Sequence, residues 1–283
     1  MTTAVLTPHQ DLPESPPARP RLAGARFRRL ALSLSGVVAA LALWLVLGAT
    51  RVLDPSSIPG LPATVRALGH ELVSGPFWSA LGATLEGWGL GLLIGAVAGL
   101  VLGTLIGLST VLQTSTAVVV EFLKTVPIIA ILPLAILVLG NSLTMKVTLV
   151  AFGVLWPLLV QTMYGVKAMD PVIRDTATAM GMGPIRRFFI VVLPSAAPYI
   201  ATGVRVAASG ALILTVVVEL IAGGSGLGVE IAKAQLSGAP ALPAMYARII
   251  VAGLLGFLMA ALLTRAERRL LRWHEAYRPE TVS

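Results

Sequence analysis

Residues 87–120 contain no Asp, Glu, Lys or Arg, and residues 30–50, 125–145, 147–166 and 249–264 are equally free of charge. Residues 188–218 form another such run, broken only by Arg205. At 1.5 Å per residue, about 20 apolar residues in a helix cross a hydrocarbon core of about 30 Å. Repeated runs of that length restrict the chain to one broad solution, an all-α polytopic membrane protein.

Composition agrees. The 283 residues are 56% hydrophobic and 12% charged, against roughly 25% charged in soluble domains. Cysteine is absent, and His9, His70 and His274 are widely separated. The chain therefore lacks a thiolate nucleophile, a disulfide framework and the spacing of a zinc or iron–sulfur site. The net charge of +8 does not indicate nucleic acid, because the basic residues stand mainly at the edges of the apolar runs, where they act as topology signals.

Six spans are expected, near residues 31–50, 83–108, 117–140, 145–167, 195–221 and 245–265. The polar stretch from Ser109 to Thr116 is expected to turn between the second and third. Residues 1–29, rich in Pro and Arg, read as a disordered basic tail. They precede a permease domain of residues 30–267 and a C-terminal tail of residues 268–283. The first apolar run is longer than a signal-peptide core and follows a long tail, so it is read as a span. With the N-terminus inside, fourteen Lys and Arg fall in inside segments and five outside (Arg51, Arg66, Lys146, Lys233, Arg248). The asymmetry places both termini in the cytoplasm.

The polar interval after the fourth span carries the most information. Asp170-Pro171 is a helix N-cap followed by proline at the first helical position. Val172, Ile173, Thr176, Ala177 and Met180 share one helical face, and Gly181, Gly183 and Pro184 end the helix. A second short helix from Ile185 leads into the membrane at Leu193-Pro194. The expected result is a helix-turn-helix projection sized to fill a groove on a partner.

Asp175-Thr176-Ala177, Gly181, Val191 and Leu193-Pro194 match the full spacing of the EAA loop and resemble that loop in binding-protein-dependent ABC transporter permeases. Asp175, Thr176 and Val191 stand where that pattern has Glu, Ala and Ile. Residues 121–127 with Ile131-Leu132-Pro133, and Val218-Glu219-Leu220-Ile221 with Ser225-Gly226-Leu227-Gly228, look like the subfamily handling nitrate, sulfonate, taurine and related small solutes. The resemblance covers residues 80–272. It implies a type I ABC importer permease fold in the inner membrane and a homodimer of permease copies. It also implies two ATPase subunits gripping the EAA loops (residues 170–194) and an extracytoplasmic solute-binding protein. Asp175, Thr176, Ala177, Gly181, Val191, Leu193 and Pro194 are then the ATPase-coupling residues. No cofactor is expected in this chain, because ATP is bound by the partner. The Gly223-Gly224-Ser225-Gly226-Leu227-Gly228 run lacks the GxxxxGK[ST] pattern of a phosphate loop.

Gly87, Gly91, Gly95, Gly99, Gly103 and Gly107 recur every fourth residue. Small residues at that spacing let helices approach closely. Four residues advance a helix by about 400°, so the row drifts by about 40° per step and is expected to meet more than one neighbour. Charges at membrane depth are costly and point to pathway roles. Glu121 pairs with Lys124 or lines the pathway. Arg205 offers a cation to an anionic solute or binds a carboxylate such as Glu121, and Glu219 closes a gate or caps its helix. Pro127, Pro133 and Pro157 are expected to kink their helices. The basic residues 265–274 read as a positive-inside stop, with Trp273 at the headgroup level.

The mechanism implied is alternating access, with no covalent chemistry on the solute. A stand-alone ion-coupled secondary transporter is the alternative reading. It would require inverted repeats and paired intramembrane acids. An intramembrane enzyme would require a nucleophile–base pair or a metal cluster.

Overall fold

The computed structural model describes residues 22–50 and 57–273. Every regular element among them is helical. The chain divides into two compact units, Met1–Leu53 and Asp54–Ser283. The first unit contributes α1 (Leu22–Ala49). This helix starts inside the stretch expected as tail, where Leu, Ala and Arg favour helix. Residues 1–21 of that tail lie outside the described residues, as do residues 274–283 of the C-terminal one.

The second unit begins with α2 (Leu61–Leu72) and α3 (Gly75–Leu108). α4 (Thr110–Thr125) follows α3 after one residue, because Ser109 caps it by accepting from the Leu112 amide at 3.3 Å. The expected turn of residues 109–116 is thus almost entirely helix. α5 (Ile128–Leu139) departs from α4 at 86°, so the third span is broken. Pro127 has no N–H to give and holds Val126 extended at ψ 122°. Pro133 and Pro157, by contrast, lie within α5 and within α6 (Leu143–Lys167).

After α6 come α7 (Pro171–Ala179), α8 (Pro184–Arg187), a π-helical turn at Phe188–Val192 and α9 (Leu193–Ala222). The chain then returns through α10 (Leu227–Leu236) and α11 (Leu242–Leu270). Among the described residues four helical segments are long and apolar enough to cross a membrane, and the bent α4–α5 pair makes a fifth. The first of the six expected spans lies in α1, whose described apolar part, Leu34–Ala49, is shorter.

The core is built on small residues. Gly87, Gly91, Gly95, Gly99, Gly103 and Gly107 all pack against α6, in order from Lys146 to Val166. α3 and α6 therefore run parallel in close contact, and the glycine row meets one neighbour, not several. The two helices wrap each other, which takes up the drift. A Cβ at Gly103 would stand 2.8 Å from Thr162 Cβ, and one at Gly99 2.9 Å from the Leu155 carbonyl oxygen. Leu93, Ile94, Val97 and Val101 on α3 face outward, the reverse of a water-soluble core. At the α10 end, Arg248 donates to Glu71 Oε1 at 2.9 Å and to the Glu230 carbonyl at 2.7 Å, joining α2, α10 and α11.

Candidate functional site

The projection between α6 and α9 is built from strong local signals. The Asp170 carboxylate accepts from the Val172 amide at 2.8 Å, and Pro171 opens α7. Gly181 takes φ +70°, the left-handed region where a Cβ is costly. Its amide donates to Thr178 O at 3.0 Å and the Met182 amide to Ala177 O at 3.1 Å. These two bonds close the helix end in a Schellman motif. Pro184 then opens α8, and Arg187 Nη1 donates to Thr178 Oγ1 at 2.8 Å, tying α8 to α7.

Ala177 is the residue of α7 that turns inward, while Asp175 and Thr176 stay exposed. Val191, Leu193 and Pro194 are half-buried, and between them Val192 packs with Val166 and Ala196. That small apolar cluster anchors the projection to the ends of α6 and α9. Val172 is 70% exposed, Met180 70% and Ile185 75%. The projection thus offers apolar side chains outward, an expensive arrangement for a loop left in water.

The three charged residues singled out for the pathway each have a different partner. Glu121 pairs with Lys124 at 2.7 Å on an exposed face of α4. Arg205 Nε lies 3.5 Å from Glu267 Oε2 on α11, so its carboxylate is Glu267 and not Glu121. α11 passes α9 at that level, a pairing across 62 residues that the order of spans leaves open. Glu219 is fully buried and does not cap its helix through its side chain.

Instead Glu219 sits at the centre of a cluster at the far end of α6 from the projection. Lys146 Nζ donates to Glu219 Oε1 at 2.8 Å and to the Ser225 carbonyl at 2.8 Å. Thr84 Oγ1 donates to Glu219 Oε2 at 2.8 Å and accepts from the Leu227 amide at 2.8 Å. The Gly228 amide donates to the same carboxylate oxygen at 3.1 Å. The carboxylate thus faces the N-terminus of α10, where helix amides and dipole favour negative charge. Gly226, at φ +138°, passes so close that any Cβ there would overlap the Glu219 carboxyl group.

Lys146, counted above with the outside segments, lies in the first turn of α6 and is buried within this cluster. Its signal was a lone charge between two long apolar runs. Thr84 had no comparable signal. No group of three metal-ligating side chains occurs among the described residues.

The description "Binding-protein-dependent transport system inner membrane component" belongs to a family model that matches residues 91–272. A probable ABC transporter permease protein of Brucella abortus (strain 2308) is 30% identical over 252 residues, covering 89% of this chain and 98% of that protein. The taurine transport system permease protein TauC of Escherichia coli (strain K12) is 27% identical over 254 residues, covering 87% and 91%. A bacterial alginate ABC transporter, solved in complex with alginate pentasaccharide-bound periplasmic protein, superposes with TM-score 0.60 at 15% identity, covering 87% of this chain and 97% of that one. That likeness gives the fold, and the match of residues 91–272 gives the family. The chain belongs to the binding-protein-dependent transport system inner membrane components, the permeases of ABC transporters.

Proposed function

We propose that this permease forms the pathway by which an ABC importer moves a small solute of the sulfonate, taurine or nitrate class across the inner membrane. Two copies of the chain enclose the path, and both termini are cytoplasmic. A solute-binding protein delivers from the outside, and two ATPase subunits supply the energy. The observation that carries this reading is the projection, with Asp175 exposed among Val172, Met180 and Ile185 on a helix pinned to α6 and α9. An apolar knob ringed by polar groups suits a groove on a partner.

Residues 170–194 act as the coupling segment within a permease domain of residues 30–267. When the ATPase pair closes, α7 moves with it, and the displacement enters the bundle through Val192 and Val166. The two copies then expose their shared cavity to one side and then the other. The taurine relative supports the solute class.

The test is co-expression with the ATPase partner. Asp175→Lys reverses charge at the contact without touching the bundle. Normal membrane insertion with joint loss of ATPase co-purification and solute uptake is expected. Uptake with ATPase binding intact would show that the projection is an ordinary loop.

A further inference from the structure

A cleft of about 450 Å³ opens between the projection and the ends of α3 and α6. Val166, Phe188 and Val192 form an apolar floor, and Lys167, Arg174 and Arg187 line it with a single acid, Asp175. The three cations come from α6, α7 and α8. Among the described residues none of these four charged groups has an ion-pair partner within 4.0 Å. Arg187 is already oriented by its bond to Thr178.

Cations gathered in one concavity repel each other. An anion relieves that cost. Guanidinium groups present planar, forked donors that suit phosphate oxygens, and Lys adds a point charge. The volume falls within the range of small-molecule sites, about 300–1,000 Å³, and is too small for a folded partner. Lys167 is the last residue of a spanning helix, so the cleft stands where lipid headgroups gather. Basic clefts at the ends of spanning helices bind such headgroups.

We propose that this cleft binds a phosphate-bearing anion, drawn from an anionic phospholipid headgroup or from free phosphate. The bound phosphate joins Lys167, Arg174 and Arg187 and so braces α7 against α6. This proposal shares Asp175 with the ATPase reading, but its ligand is held by Lys167, Arg174 and Arg187, none of which that reading uses.

The full chain, purified in detergent, is titrated with phosphatidylglycerol, with phosphatidylcholine and with inorganic phosphate, and retained ligand is counted by native mass spectrometry. The parent is expected to retain phosphatidylglycerol or phosphate over phosphatidylcholine, and which of the two saturates names the source. Lys167→Gln with Arg174→Gln should raise the half-saturating concentration by about thirtyfold, and Asp175→Asn should lower it. Arg268→Gln with Arg269→Gln, outside the cleft, should leave it unchanged. A double variant that fails to insert is replaced by Arg174→Gln alone, for which about a fivefold rise is expected. Equal retention by parent and cleft variants overturns the site. So does a variant effect seen only on binding of the ATPase subunit, which would make these cations a protein-docking surface.

Discussion

Lys146 and Glu219 lie 73 residues apart in sequence and meet at 2.8 Å with almost no access to water. Removing either partner leaves a buried charge uncompensated, at a cost of about 3–5 kcal/mol. Lys146→Met and Glu219→Gln should each lower the thermal midpoint of the purified permease sharply, and the double variant should lose less than the sum. Additive losses in this double-mutant cycle would mean the two groups do not act as a pair.

Close packing along the glycine row gives a second expectation. Gly95→Leu or Gly99→Leu forces a side chain into the α6 backbone, so assembled permease in the membrane should drop severalfold by quantitative immunoblot. Gly89→Leu on the same helix, where a Cβ would meet nothing within 4 Å, should assemble normally. Parent-like levels in all three would place the row away from α6.

Gly181 tests the closure of α7. A Cβ there has open space but an unfavourable φ of +70°, so Gly181→Val strains the turn by about 1–2 kcal/mol without a clash. Membrane level should hold while uptake falls, and Gly181→Asn, which tolerates left-handed backbone, should recover much of it. If valine and asparagine transport alike, the turn conformation does not matter to coupling.

Topology can be read directly because the chain has no cysteine. Single cysteines at Ser237, after α10, and at Gly183, before α8, should label from opposite faces with an impermeant maleimide. Labelling of both from one face contradicts the orientation drawn from the Lys and Arg distribution.

What could be read from the sequence was local. Asp170, Pro171 and Gly181 are a cap, a first-turn proline and a left-handed terminator within twelve residues, and each acts on its immediate neighbours. The apolar runs marked the long helices for the same reason. Thr84, Lys146 and Glu219 meet only after three helices pack, at separations of 135 and 73 residues, so no spacing rule could join them. Arg205 had several carboxylates within its reach in sequence terms, and only the path of α11 selects Glu267. The glycine row was legible as a packing face, but its single partner depends on how two helices wind about each other.

α3 and α6 touch along about five turns, with only the side chains of α6 seated between their backbones. A lone helix bends easily, but two helices keyed together in this way share every load like laminated beams. For α6 to flex alone it would have to slide its side chains out of six glycine notches. If the projection moves as proposed, a push delivered at Lys167 reaches Lys146 with α6 unbent, and the buried cluster at the far end shifts with it.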